Sequence, residues 1–156
     1  MKKQLFGRLR LLIAPFESVI RLLPTRGRLL DVGCGHGFVT GMIASARPKL
    51  KIYGIAIDHY HLAPTQQDGI IDRSPALLSK NGVLIPKDID IYPRYKYWWN
   101  YFHDCLMSKG NPIYCRSYRD WQKILKQKGF QIKKTFFSNK GWLYPHVIII
   151  ARKNAN

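Results

Sequence analysis

The sequence predicts an α/β domain with a mostly parallel sheet of about five strands, flanking helices and a C-terminal antiparallel strand pair. Short apolar segments alternate with helix-like segments along most of the 156 residues, and only a turn-rich connection separates the last two apolar segments. A glycine-rich turn directly after the first strand-like segment is the third supporting observation. We expect a basic helical lead-in over residues 1–26 and a single domain over residues 27–156.

The first 26 residues are predicted to be helical. Apolar residues recur there at steps of three and four, and they are Leu5, Leu9, Leu12, Phe16, Ile20 and Leu23. Pro15 is expected to kink this helix or to divide it in two. Residues 1–30 hold seven bases and a single acid, Glu17. The helix could therefore pack on the edge of the domain or lie on an anionic membrane surface.

The remaining elements alternate in type as far as residue 110 and end with a helix and two strands. Pro48 is expected to stop the first helix of the domain, Asn81 and Gly82 to end the second, and Ser117 to cap the last. The predicted strands are residues 28–33, 51–57, 83–88, 131–138 and 146–153, and the predicted helices are residues 38–47, 65–82, 93–110 and 117–130.

The strongest chemical signal is LLDVGCGHG, residues 29–37. Its three glycines join a buried strand to a helix, so the backbone can turn sharply and approach a ligand that faces the N-terminus of that helix. Asp31 lies just before the turn, where a carboxylate can order the loop or bind an ammonium group. The spacing does not fit a dinucleotide-binding G-x-G-x-x-G, and the G-K-[ST] of a P-loop is absent, which argues against ATP hydrolysis.

The spacing G-x-G-x-G after LLDV resembles motif I of the class I S-adenosylmethionine-dependent methyltransferases, whose fold is Rossmann-like. Less specific similarity extends through LLSKNGVLIPKD to the final helix and strands, so that it covers most of the chain. The resemblance implies S-adenosylmethionine as cofactor and methyl transfer by in-line displacement, in which the protein mainly positions the reactants. It also implies that the methionine side of the cofactor is lined by Asp31, Gly33, Cys34, Gly35, His36 and Gly37.

Residues 51–67, KIYGIAIDHYHLAPTQQ, resemble two different parts of that family. The first half resembles the second strand, which usually ends in an acid that binds the ribose hydroxyls, but Ala56 occupies the matching position and Asp58 follows two residues later. The second half resembles the end of the fourth strand. Because about 40 residues should separate these strands, we hypothesise an internal deletion within Tyr53–Asp58. Asp58 is then an ambiguous ligand of the cofactor.

His61 lies in the part that resembles the fourth strand and is a candidate general base, because an imidazole titrates near pH ~6.5. The alternative is a plain loop histidine. His59 and His61 would point the same way on a strand, but no third ligand is evident. The three cysteines Cys34, Cys105 and Cys115 include no CxxC pair. The sequence therefore predicts no metal site.

The segment YPRYKYWWNYFH, residues 92–103, interleaves aromatic and basic residues. Aromatic side chains beside bases bind single-stranded nucleic acid in some proteins. However, Tyr95, Trp98, Phe102 and Leu106 fall at helical spacing, so we expect them to pack in the core. In a subset of small bacterial methyltransferases that the segment resembles, this helix lines the acceptor site.

Two functions are compatible with the sequence. The first is an S-adenosylmethionine-dependent methyltransferase that acts on a small-molecule or lipid-linked acceptor. The alternative is an impaired or repurposed methyltransferase-like fold that binds nucleic acid or membrane through its net charge of +17. Nucleic acid is the less favoured partner, and the oligomeric state stays open. No apolar run approaches the ~20 residues of a membrane span, so we expect a cytoplasmic protein that contacts the inner face of the membrane peripherally.

Overall fold

The computed structural model describes residues 14–56, 61–108, 110–138 and 143–154. The chain divides into two compact units, Met1–His59 and Tyr60–Asn156. We describe each unit by itself. The division expected from the sequence, at residue 26, stays a prediction.

Unit 1 contains α1 (Phe16–Leu22), β1 (Arg26–Val32), α2 (Phe38–Ala46) and β2 (Lys49–Ile55). The two strands pair in parallel along their whole length, and α2 forms the crossover connection that a parallel pair requires. α1 begins directly after Pro15, where the sequence predicted a break. The N-terminal part of the predicted amphipathic helix lies outside the described residues.

The C-terminus of α1 is tied to the end of α2 by one guanidinium group. Arg47 Nη2 donates to the carbonyl oxygen of Ile20 at 3.0 Å, and Arg47 Nε donates to that of Leu23 at 3.5 Å. The Ile20 carbonyl also accepts a hydrogen bond from the Leu23 N–H at 3.2 Å, so the guanidinium adds a second donor at the end of α1. The buried apolar residues of unit 1 are Ala14, Phe16, Ile20, Leu23, Ile43 and Leu50.

Unit 2 has three helices and four strands among its described residues. They are α3 (Pro64–Leu77), β3 (Val83–Leu84), β4 (Lys87–Ile89), α4 (Arg94–Met107), α5 (Tyr118–Gln127), β5 (Phe130–Ser138) and β6 (His146–Lys153).

β6 is the central strand of the unit 2 sheet. β3 and β4 both pair with β6, and residues 85–86 separate these two short strands. β5 pairs with β6 over residues 130–138. Every one of these pairings is antiparallel, which confirms the predicted C-terminal strand pair.

The mostly parallel sheet of about five strands is not confirmed. Within the described residues, β1 and β2 are the sole parallel pair, and the other four strands form a separate antiparallel sheet. The parallel sheet has no further strands because the connection between β2 and β3 is short. Its described residues contain α3 but no strand that could extend a parallel sheet.

The core of unit 2 lies where α5 packs on this sheet. Its buried apolar side chains are Ile71, Trp121, Leu125, Phe130, Val147, Ile149 and Ala151. Ser117 caps α5 as the sequence predicted, since its Oγ accepts a hydrogen bond from the Asp120 backbone N–H at 3.1 Å.

The expectation that the aromatic face of α4 packs in the core is wrong. Tyr95, Trp98, Phe102 and Leu106 are 57–66% exposed, whereas the buried residues of this helix are Lys96 and Asn100. Helical spacing correctly groups the apolar residues on one face, but the buried side chains of this helix lie on its polar face. In the part of the chain that the structure describes, no helix is long and apolar enough to cross a membrane.

Replacement of Leu125 by alanine should lower the free energy of unfolding of unit 2. The Leu125 side chain is fully buried, and such a cavity costs about 3 kcal/mol. Urea denaturation followed by circular dichroism checks this value. Leu77→Ala is the matched control because Leu77 is 69% exposed, and its substitution should change stability by less than about 0.5 kcal/mol. Equal losses in the two variants would contradict the described core.

Candidate functional site

The candidate site in unit 1 is the glycine loop, residues 33–37, which joins β1 to α2. Gly33, Gly35 and Gly37 have φ angles of 92°, 54° and 77°. These angles lie in the left-handed region, where a β-carbon is disfavoured. The three glycines singled out in the sequence are therefore required by the backbone path itself.

The loop is attached to the end of β2 by its backbone. The N–H groups of Gly33 and Cys34 both donate to the carbonyl oxygen of Ile55, at 2.7 Å and 3.1 Å. The Cys34 side chain packs against Gly54 of β2, because a β-carbon at Gly54 would lie 2.8 Å from Cys34 Sγ. Gly54 thus leaves the space that the loop needs, a role that the sequence analysis missed.

Asp31 is fixed by a residue of the first turn of α2. Thr40 Oγ1 donates to Asp31 Oδ2 at 2.7 Å, which orients the carboxylate at the end of β1. The sequence analysis predicted the importance of Asp31 but missed Thr40. Its position could have identified Thr40 from the sequence, because it is a hydroxyl residue in the first turn of the helix that follows the loop.

The loop leaves room for a ligand. A β-carbon added at Gly35 or Gly37 would meet no heavy atom within 4 Å. Gly37 is the N-cap residue of α2, and no side chain caps that helix. Backbone N–H groups at the start of a helix attract negatively charged and polar ligand groups. Six of the predicted cofactor ligands are therefore brought together here, and they are Asp31, Gly33, Cys34, Gly35, His36 and Gly37.

The seventh predicted ligand, Asp58, lies outside the described residues, as does His59. Ala56, the position at which the family usually has an acid, directly follows β2 and is exposed. The structure thus places no carboxylate at the end of β2 itself. The role of Asp58 stays a prediction.

In unit 2, His61 is held by a backbone carbonyl. Its Nδ1 lies 2.8 Å from the carbonyl oxygen of Pro112. Because that oxygen can only accept a hydrogen bond, Nδ1 carries the proton and a neutral imidazole has its lone pair on Nε2. Gln67 holds the same two segments together, since its Nε2 donates to the carbonyl oxygens of Leu62 and Tyr114 at 3.0 Å and 3.3 Å.

A cavity of about 380 Å³ opens in unit 2 near the ends of β4 and β5 and the start of β6. It is lined by Asp90, Tyr92, Pro93, Tyr118, Phe137, Ser138, Pro145 and His146. Its walls are mainly aromatic rings and prolines, with one carboxyl and one imidazole group. Such a composition suits a small ligand that has an apolar body and a few polar groups.

The carboxyl group of this cavity is held in place by backbone donors. Asp90 Oδ1 accepts hydrogen bonds from the N–H groups of Tyr118 at 3.0 Å and Ile91 at 2.8 Å. Burial raises the pKa of Asp90, and these hydrogen bonds partly oppose the rise. Sequence reasoning missed this group because nothing local marks a buried carboxylate.

Cys115 is an inert thiol. Desolvation raises its pKa to about 12, and the negative charges of Asp88 and Asp104 add to the shift. A thiol with this pKa is protonated at neutral pH and is a poor nucleophile. Among the described residues, no three His, Cys, Asp or Glu side chains are grouped so that they could hold a metal ion.

No protein-family model matches the chain, and no curated protein matches it in sequence. Solved structures do match. An O-methyltransferase family protein from Burkholderia thailandensis superimposes with a TM-score of 0.71 at 10% identity, over 96% of this chain and 57% of that one.

Two further structures have similar folds. Magnesium protoporphyrin IX methyltransferase from Synechocystis, with bound S-adenosylhomocysteine, has a TM-score of 0.66 at 16% identity, over 96% of this chain and 84% of that one. A SAM-dependent methyltransferase from Methanosarcina mazei has a TM-score of 0.62 at 14% identity, over 92% and 99%.

The chain therefore has the fold of the class I S-adenosylmethionine-dependent methyltransferases. The chain spans little more than half the length of two of its neighbours, 57% of the Burkholderia protein and 54% of the pyocyanin biosynthetic protein PhzM. This partial coverage is consistent with the internal deletion hypothesised from the sequence.

Replacement of Gly54 by alanine should destabilise the glycine loop, because the new methyl group would lie 2.8 Å from Cys34 Sγ. We expect the free energy of unfolding to fall by about 1–3 kcal/mol, as in other overpacked sites. Chemical denaturation measures the change.

Two further variants separate crowding from a general effect of alanine. Gly41→Ala is the control, since its β-carbon would meet no atom within 4 Å. Cys34→Ala removes the crowding sulfur and should recover part of the stability that Gly54→Ala loses. A Gly54→Ala protein as stable as the Gly41→Ala protein would show that Cys34 does not pack on β2 as described.

Proposed function

We propose that the protein is a methyltransferase that uses S-adenosylmethionine and binds it at the glycine loop. The observation that carries this proposal is the loop geometry. Its glycines have positive φ angles, open space lies beside Gly35 and Gly37, and a carboxylate is held by Thr40 at one end. The methyltransferase fold of the chain supports the same conclusion.

The loop residues fit the methionine part of this cofactor. The Asp31 carboxylate is fixed through Oδ2 and suits an ammonium group, and the N–H groups at the start of α2 suit a carboxylate. The glycines let backbone atoms approach the ligand. When bound, the cofactor supplies an electrophilic methyl group to a nucleophilic acceptor, and the protein aligns the two. His36 and Asp58 complete the proposed binding set.

For the acceptor we propose a small molecule with an aromatic or otherwise apolar body, the kind of ligand that the lining of the unit 2 cavity suits. Two structural neighbours are named as O-methyltransferases, one of them for mitomycin. A lipid-linked acceptor would also suit the apolar walls, and the basic charge would favour a cytoplasmic location at the inner membrane face. His61 stays the candidate general base that the resemblance implies, and it is not among the residues that line this cavity.

The second candidate is a methyltransferase-like fold that binds anionic partners without turnover. The observation that favours it is the exposed Ala56 at the end of β2, where the resemblance calls for a ribose-binding acid. The net charge of +17 would then attract phosphate groups. Binding of unrelated DNA that weakens steeply with salt, without a thermal shift from cofactor, would favour this candidate.

Binding of S-adenosylhomocysteine tests the proposal. The ligand should raise the melting temperature of the unmodified protein, and Gly35→Ala should abolish that rise because its methyl group would occupy the space beside the loop. Gly129→Ala is the matched control. Gly129 also has a positive φ, 83°, and open space around its α-carbon, but it lies in unit 2.

Both substitutions place an alanine in the left-handed region and should cost about 1 kcal/mol of stability. Only the Gly35 variant should lose the ligand response in isothermal titration. A ligand response that is equal in both variants would rule out cofactor binding at the loop. Binding without transfer of a labelled methyl group into a lipid or metabolite extract would favour the non-enzymatic candidate.

A further inference from the structure

The most unusual surface of unit 2 is one face of α4. We call it the α4 stripe and define it as Tyr95, Trp98, Trp99, Phe102 and Leu106. These side chains are 66%, 57%, 47%, 60% and 65% exposed. They recur at steps of three and four residues, so they lie along one side of a helix over a length of about 17 Å. Soluble proteins rarely expose so many large apolar groups together unless the surface has a partner.

The face of α4 opposite the stripe is the one that is buried. Lys96 and Asn100 are buried there, 7% and 3% exposed, and Asn100 Nδ2 donates to Asp104 Oδ2 at 2.7 Å. A rotation that turned the stripe inward would bring these buried polar side chains to the surface. The described packing therefore leaves the stripe facing outward.

The distribution of charge indicates the chemistry of the partner. All six acids of residues 60–156 have hydrogen-bond or ion-pair partners within unit 2, and they are outnumbered by the bases of the same residues. Asp68 and Asp72 pair with Arg116 and Lys128, and Asp88, Asp90, Asp104 and Asp120 accept hydrogen bonds from Trp121, the Tyr118 N–H, Asn100 and Ser117.

On α4 itself, Asp104 is the sole acid, and it is half-buried and bonded to Asn100 on the polar face. Arg94 is exposed at the start of the stripe, where its guanidinium lies 5.9 Å from the ring centroid of Tyr92. The stripe is thus an apolar strip with a cation at one end and no acid among its own members.

We infer that the α4 stripe inserts into the interfacial region of an anionic lipid membrane. Tryptophan, tyrosine and phenylalanine on one helix face, with the exposed Arg94 at its end and a basic domain around it, are typical of interfacial membrane helices. This surface is distinct from residues 1–26, and the inference holds whether or not the protein transfers methyl groups.

Two other partners fit the stripe less well. A single-stranded nucleic acid would need a ring for each of the successive bases that stack. Leu106 offers no ring for stacking. A second copy of the chain would bring two charges of +17 together, which opposes association.

Vesicle binding of the full chain tests the inference. Cosedimentation should show strong binding to phosphatidylglycerol-rich vesicles and at least about tenfold weaker binding to neutral phosphatidylcholine vesicles. The combined variant Trp98→Ala, Phe102→Ala and Leu106→Ala should bind the anionic vesicles at least about tenfold more weakly, although its net charge is unchanged. Leu77→Ala removes an equally exposed leucine from α3 and should bind like the unmodified chain.

A second measurement does not depend on any variant. Lipids brominated in the acyl chain should quench part of the tryptophan fluorescence of the unmodified protein, because Trp98 and Trp99 would lie at that depth. Absence of vesicle binding, absence of quenching, or equal binding by the triple variant would each overturn the inference. So would a stripe-dependent dimer or stripe-dependent oligonucleotide binding in a protein that does not bind vesicles.

Discussion

The candidate site depends on a single backbone acceptor, the carbonyl oxygen of Ile55. It receives the N–H groups of both Gly33 and Cys34 at the point where the parallel pairing of β1 and β2 ends. The glycine loop thereby continues the ladder of the sheet, and α2 starts from a fixed position. Asp31 and Thr40 then meet across the loop. A ligand that binds here contacts backbone atoms already ordered by the sheet, which is the condition for specific binding.

The glycine loop could be predicted from the sequence because its requirements are local. Positive φ angles at Gly33, Gly35 and Gly37 and a carboxylate at the strand end are determined within seven residues. Gly54 could not be identified in this way, because the side chain that it accommodates is 20 positions earlier in the sequence. The antiparallel pairing of the last two strands was also predictable, since they are neighbours in sequence.

The orientation of α4 and the arrangement of the sheets could not be predicted, for one shared reason. Helical spacing shows that apolar residues share a face, but it does not show which face the rest of the domain contacts. Here the buried positions are Lys96 and Asn100, and the spacing of the apolar residues does not reveal that. Likewise, strand-like composition does not specify the neighbour of a strand. β6 pairs with β3, β4 and β5, and the parallel sheet remains limited to β1 and β2 in the described residues.

Amide hydrogen exchange of the full chain, with and without S-adenosylhomocysteine, tests the central claim most directly. The account predicts slower exchange in peptides that cover residues 31–41, where the loop and the start of α2 bind the ligand, and unchanged exchange in peptides that cover α5. Unchanged exchange over residues 31–41 at a saturating ligand concentration would contradict it. Protection confined to unit 2 would contradict it equally, because the ligand would then bind at a site other than the glycine loop.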